Sequence, residues 1–567
     1  MIITLLLWVY QLFIILPFGF FLLSLFKKYY KKTKPDISYF ILAFLAGITF
    51  LTTLSSFFSF FINISWQVHS FVLVVSSLLW IYLFRSKQIP NFHVNIWTEN
   101  KFQRISLVFL LIALVITLFS ATTSPENHDT AIYHAQAIHW IETYKVVPGL
   151  VNLHDRLAFN SSWLVINALF SLSFLNIQSF HILPSLFFLI SVCYFFSGVF
   201  AVGGGSKRVS DLVKLAFFIA AFLLLQTEIS SPGTDFPVTL IIWVICAEWV
   251  RLLERSQDDS KLDGMWWAII ALFCITIKLS SAPIIIFVIW AVITEIRKKH
   301  WKNIIVICIA AGIIIAPFVG RNIILSGHLF FPGLKIDPIH VDWGIPTAVV
   351  ESEKATIHWF ALLPNMDRME FNKLTWQVQY MKWFYNQIPR HKAMIAYLGL
   401  IPVPFLLLLP FKKWRTLLRD HSEISWPIIC MYAGVTFWLI VAPAFRFGYG
   451  FILAAIGLTF ALLVKFTMEM NNLINNAIRF LSFILILFVG IGAVKGSLHL
   501  NTIRERILLP QDYPAWHTEP CVFRNFTILC QTEWDSCWYH AFPCANGGNL
   551  NVEMRGPDFS DGFRVVP

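Results

Sequence analysis

Apolar runs of about twenty residues, broken by short basic or polar stretches, repeat along almost the whole chain. A helix needs roughly 20 apolar residues to cross ~30 Å of hydrocarbon, so this pattern predicts membrane-spanning helices. The runs are Ile2 to Phe26, Ser38 to Ile62, Trp66 to Phe84, Ile105 to Ala121, His181 to Val202, Leu212 to Gln226, Phe236 to Leu253, Met265 to Ile296, Ile304 to Gly320, Ala393 to Phe411, Ile424 to Ala442, Phe451 to Phe466 and Phe480 to Val494.

Two segments need a decision. Asn160 to Asn176 is apolar enough to cross, but a crossing there would turn Lys207/Arg208, Arg251/Arg255, Arg297 to Lys299 and Lys412/Lys413/Arg415 outward. Basic residues favour the inner side, so the segment is expected to lie in the outer interface or re-enter without crossing. The run Met265 to Ile296 has basic residues at both ends and reads as a hairpin. Its tip is Lys278-Leu-Ser-Ser-Ala-Pro283, with arms of about sixteen residues, or ~24 Å of helix. The first run is followed by Lys27, Lys28, Lys31, Lys32 and Lys34 and preceded by no basic residue, so it reads as a retained span with its N-terminus outside.

The resulting fold class is an all-α polytopic membrane protein of about 14 transmembrane helices, with both termini outside. Its expected regions are a three-span N-terminal part (1–104), a module at 105–332 with a first outer loop at 122–180, a large outer loop (333–392), further spans (393–494) and a cysteine-containing outer segment (495–567).

Composition sharpens this picture. Hydrophobic residues make up 57% and charged residues 13% of the chain, and the mean hydropathy is +0.68. That leaves too little polar surface for a water-soluble globule. The net charge of +11 is dispersed over short loops and forms no nucleic-acid-binding face. Of nine cysteines, Cys193, Cys246, Cys274, Cys308 and Cys430 lie in apolar runs and read as small buried side chains. Cys521, Cys530, Cys537 and Cys544 crowd into the C-terminal segment and suggest two disulfides in an oxidising compartment, with three pairings open.

Candidate chemistry gathers at the predicted outer face. The first outer loop opens with Pro125-Glu-Asn-His-Asp-Thr-Ala-Ile-Tyr133, in which Asp129 is suited to activate a hydroxyl or hold a divalent cation, with Glu126 and His128 as helpers. Asp129 could equally cap the following helix. Asp235, at the end of Ser231-Pro-Gly-Thr-Asp235, is a second carboxylate in an equivalent place, open to the same capping role. Lys278, Arg321 and Arg446 sit near the same interface, where a cation pairs with an anion such as a lipid phosphate or snorkels to headgroups. Outer-loop aromatics, including Trp359, Trp376, Trp383, Trp516, Trp534 and Trp538, could stack on sugars or serve as core.

The acidic first loop with its following Tyr, the apolar non-crossing helix and a span pair ending in a second outer Asp resemble the GT-C superfamily of lipid-phosphosugar-dependent glycosyltransferases. The matching positions are His128-Asp129-Thr-Ala-Ile-Tyr133, Ser231-Pro-Gly-Thr-Asp235, Thr276-Ile-Lys278 with Pro283, Arg321-Asn322 and Gly327-His328. They cover roughly 105–332. The chain departs from the family in having three spans before the acidic loop and His-Asp in place of a double acid, a layout similar to uncharacterised bacterial membrane proteins.

The resemblance implies transfer of a sugar from a polyprenyl phosphate to a glycan, lipid or protein acceptor at the periplasmic face of a bacterial inner membrane. Asp129, His128 and Asp235 would be catalytic. Glu126, Tyr133, Lys278, Arg321, His328 and Arg446 would bind substrate, and Asp129 with Asp235 would hold any Mg or Mn ion. A transporter or flippase of a lipid-linked glycan, or a glycan polymerase, is the alternative from another class.

Overall fold

The computed structural model of the chain describes residues 1–26, 36–89, 101–254, 263–333, 340–420, 422–470, 503–531, 536–545 and 551–566, with scattered positions from 477 to 490. The basic block at 27–34, Arg255, Lys261, Trp534 and most of the run Phe480 to Val494 fall outside the described residues.

The hydropathy pattern becomes helices in chain order: α1 Ile2–Ser24, α2 Ile37–Phe58, α3 Trp66–Arg85, α4 Lys101–Ala121, α5 Ala135–Thr143, α6 Ser162–Phe170, α7 Leu183–Gly203, α8 Val209–Leu224, α9 Asp235–Glu254, α10 Asp263–Ile277, α11 Ile285–Arg297, α12 Trp301–Ser326, α13 Thr347–Leu362, α14 Trp376–Asn386, α15 Pro389–Leu400, α16 Ser425–Val441 and α17 Phe445–Met470. Among the described residues nine helical segments are long and apolar enough to cross a membrane, and Leu107–Ala121, Ser162–Leu175 and Gly264–Ile277 are shorter apolar helices. The protein is therefore a helical integral membrane protein. Rows such as Ile305, Ile309 and Ile313 on α12 stay exposed at a spacing of four. In lipid such rows are the ordinary outer surface of a bundle.

The two difficult segments have clear forms. The hydrophobic run from Asn160 makes only a nine-residue helix, α6, about 14 Å long and too short for the hydrocarbon. The run from Met265 is broken at Lys278, whose backbone is extended, and turns through Leu279–Ile284 into α11. That is the expected hairpin.

Helix α9 lies at the centre, buried along nearly its whole length. It packs on α7, α8, α10 and α17. Helices α1 and α2 approach closely because Gly19 faces the backbone of Ala43, where a Cβ would come within 1.8 Å of its carbonyl oxygen. Small residues permit such contacts where no hydrophobic effect drives helices together.

One end of the bundle carries a cap. The amide of Ile2 donates to Ile507 O at 3.0 Å, Arg506 donates to Phe119 O at the end of α4 at 3.1 Å, and Ser124 donates to Asp512 O at 2.9 Å. The cap is the cysteine-containing outer segment expected beside the all-α bundle, and it carries strands. It forms a three-stranded sheet, β1 (Thr518–Val522), β2 (Thr527–Gln531) and β3 (Cys544–Ala545), and a pair, β4 (Val552–Met554) with β5 (Phe563–Val565). Of the three open pairings it has Cys521–Cys530 and Cys537–Cys544. Cys521 and Cys530 staple the β1–β2 hairpin. A segment this small lacks apolar area for a core of its own, so it relies on staples and on docking. The amides of Cys537 and Trp538 both donate to Ala131 O at 2.9 Å, and Phe563 N donates to Pro148 O at 2.9 Å.

Candidate active site

Asp129 follows the polar segment after α4 and precedes one turn of π-helix, Thr130–His134, that leads into α5. Such turns insert an extra residue and are frequent at functional sites. Asp129 does not cap this helix, since its side chain makes no cap hydrogen bond. Asn127 takes that role, its Oδ1 accepting from Thr130 N at 3.2 Å. The carboxylate of Asp129, a buried residue, is left for an ion pair with Arg446 Nη2 at 2.9 Å.

The other members arrive from distant stretches. Asp235 opens α9, where an acid in the first turn is favoured by the helix dipole, and one of its oxygens meets Lys278 Nζ. Its other oxygen lies 3.8 Å from Arg446 Nε. Arg446 sits in the first turn of α17, just after Pro443-Ala444, and that turn is pinned by two indoles. Trp383 donates to Pro443 O at 3.1 Å and Trp438 to Ala444 O at 2.8 Å. Phe447 floors the cluster, with Lys278 Nζ 4.0 Å and the Arg446 guanidinium 5.1 Å from its ring centre. The face of an aromatic ring attracts cations.

Asn127 ties the two acidic turns together. Its side-chain amide donates to Glu228 at 2.7 Å and its backbone N–H to Ser231 Oγ at 3.3 Å. The separation of Asp129 from Asp235 is thus set by a bridge as well as by their shared arginine.

Electrostatics polarise the site. Burial alone would raise the Asp129 pKa, but Arg446, then His134 and Lys278, outweigh it and hold the carboxyl down at about 2. Burial keeps His134 neutral, its pKa lowered to about 4. Burial and both carboxylates push the Tyr133 phenol well above its ordinary value, so it stays protonated. Burial raises the Glu228 carboxyl above the usual range.

Other expected members stand elsewhere. Glu126 and His128 are exposed on the loop surface and take no part in these ion pairs. Arg321 is buried away from the cluster, donating to Asn160 at 3.0 Å and to Ser59 at 2.6 Å. It holds together α2, α12 and the chain before α6. His328 is also buried, its Nε2 donating to Ile345 O at 2.9 Å. The donor set suits a divalent cation poorly. Each carboxylate already faces a guanidinium or ammonium group, and among the described residues no group of three or more His, Cys, Asp or Glu is placed to hold a metal ion. No step is therefore routed through a metal.

Several residues escape a reading by segment. Arg156, in the turn Asp155–Ala158, is close enough to influence both Asp129 and Tyr133. The His134 Nε2 is buried without a hydrogen-bond partner, and its Nδ1 is 3.2 Å from Thr130 Oγ1. A second charged cluster lies toward the opposite end of α9. Glu248 accepts from Tyr194 at 2.5 Å and from Arg251 Nε at 2.6 Å, and Lys214 Nζ lies 3.8 Å away. Lys214 and Glu248 fall inside runs that hydropathy counts as apolar, which hid them.

These features together describe a polytopic membrane protein with a charged, partly open site at its capped end. The chain belongs to the family described as "Domain of unknown function (DUF8201)", which matches residues 1–453. All four clustered charges fall within that match and the disulfide-bearing cap lies beyond it. No curated protein and no solved structure matches the chain.

Proposed function

We propose that this protein is a membrane glycosyltransferase that moves a sugar from a polyprenyl-phosphate donor to a hydroxyl of a glycan, lipid or protein. The active end is the one bearing the disulfide cap, assigned to the periplasmic face of a bacterial inner membrane. One observation carries the reading: Asp129, Asp235, Lys278 and Arg446, from four separate elements, converge where apolar helices give way to a polar cap. A lipid phosphate and a water-soluble acceptor meet at that depth.

The chemistry follows from the pairings. The four charges sum to zero, so an arriving phosphate competes with the carboxylates for Arg446 and Lys278. As Arg446 turns to the phosphate, Asp129 loses its counter-ion and becomes more basic. Asp129 then takes the proton of the acceptor hydroxyl as its oxygen bonds the anomeric carbon. The bond from that carbon to the phosphate oxygen breaks, and the phosphate leaves stabilised by the two cations. Asp235 orients Lys278, and the Tyr133 phenol is a further donor beside the reacting groups.

The test uses purified protein in nanodiscs with polyprenyl-phosphate sugars. Asp129→Asn is expected to lower transfer by at least ~100-fold while the protein stays monodisperse. Transfer at the wild-type rate removes Asp129 from the mechanism. A flippase for the same lipid-linked glycan is the second reading, favoured by the buried charges Lys214 and Glu248 within the helices. It requires transport in proteoliposomes that survives Asp129→Asn.

A further inference from the structure

A cavity of about 480 Å³ opens beside the cap, between the α2–α3 turn, α5, the chain after α6 and the cap itself. We infer that it is a binding site for a neutral, hydroxyl-rich saccharide, distinct from the four-charge cluster. Its volume is in the range of ligand sites, whereas the void beside Arg321 is about 20 Å³, room for little more than water.

The lining selects the ligand class. Asn63, Asn176 and Gln178 bring carboxamides, each both donor and acceptor, and Glu142 brings a carboxylate. Such groups suit vicinal hydroxyls, which also donate and accept. The Asn63 amide is turned by donating to Glu142 O at 2.7 Å. Glu142 is held by the Tyr539 hydroxyl at 2.6 Å, and its other oxygen, buried without a hydrogen bond, lies 3.8 Å from His181 Nε2. His139 is stacked between Tyr539 and Phe542 at 4.4 and 3.8 Å and donates from Nδ1 to Tyr539 O at 3.1 Å, which leaves Nε2 as an acceptor. Phe174 and Tyr539 supply ring surface for the apolar faces of a sugar.

Among the described residues no lysine or arginine lines the cavity. A phosphate, nucleotide or acidic glycan would need such a cation, so the site is matched to an uncharged chain of sugars. The cap contributes Tyr539 and His540, beyond the part of the chain matched by the family. The cap therefore decides which saccharide is held.

Its position gives it a use. Asp129 and Glu142 stand at opposite ends of one continuous helical stretch, Thr130–Thr143, about 20 Å apart at 1.5 Å per residue. A saccharide in the cavity could extend its end toward the charges. The assignment as acceptor subsite rests on the glycosyltransferase reading; the assignment as saccharide site does not.

The full chain in nanodiscs is applied to a printed array of neutral and acidic oligosaccharides. Neutral oligosaccharides are expected to bind. Thr143→Trp, at an exposed position on the rim, and Gln178→Ala are each expected to weaken binding at least tenfold, and Asp129→Asn to leave it unchanged. No binding of neutral glycans, a preference for acidic ones, or equal binding by both rim variants in monodisperse form overturns the proposal. Retained array binding together with no sugar transfer by the wild-type protein instead removes the enzymatic reading and leaves the saccharide site standing.

Discussion

Helix α9 carries a charged cluster near each end, and the two differ in how completely they are closed. Around Asp235 the side chains are 10 to 34% exposed, and Tyr133, His134 and Arg156 stand close by with capacity to spare. Around Glu248 the carboxylate is fully buried, and Tyr194, Lys214 and Arg251 saturate it. The same residue types thus serve two purposes. A closed network joins α7, α8 and α9 with its charges paired among themselves, whereas an open one holds charge where a substrate can compete for it.

Substitutions should separate the two. Asp129→Asn is expected to cost roughly 10³-fold in transfer, with a smaller loss of thermal midpoint in detergent than Glu248→Ala. An equal loss of midpoint would make the outer cluster structural too. Glu248→Ala should do the reverse, lowering stability by about 3 to 5 kcal/mol because Lys214 is left buried without its anion. Thermal unfolding followed by tryptophan fluorescence checks this. Lys278→Met is expected to reduce transfer by about 10²-fold through the departing phosphate, read in kcat more than in KM. Lys214→Met, in contrast, should cost only about 1 kcal/mol, since Glu248 keeps the hydrogen-bonded Arg251.

The last contrast is in pH. His134 has its folded pKa lowered from 6.5 to about 4, so between those values the unfolded chain binds more protons and stability falls as pH falls. Asp129, depressed from 3.8 to about 2, adds stability that is full above 3.8 and lost as pH drops through 2. Thermal midpoints from pH 7 to 4 should decline in the wild type and decline less in His134→Gln. Identical slopes would show that His134 is not the group responsible.

How much of this was legible beforehand depended on where each residue lay relative to an apolar run. Asp129, Asp235 and Arg446 stand beyond the ends of apolar runs and Lys278 at the tip of a hairpin, so a shared depth followed from run lengths. Depth does not imply contact, and Arg321 and His328 lie at a comparable level yet bond elsewhere. Glu126 and His128 seemed natural helpers as chain neighbours of Asp129, but the loop and π-turn leave them exposed. Lys214 and Glu248 were invisible because one charge scarcely dents the mean hydropathy of a span. The short strands of the cap alternate too briefly to announce themselves, and cysteine spacing alone leaves three pairings equal.

The sequence by itself determined that the chain is a helical membrane protein, where it turns, and that its unusual charges sit at helix ends. Those outcomes depend on local hydrophobicity, which each segment carries independently of the rest. Only the tertiary structure decided which charges meet, which cluster is sealed and where a polar cavity opens. Ion pairs and cavities are set by contacts between segments tens to hundreds of residues apart, through packing that no single stretch encodes.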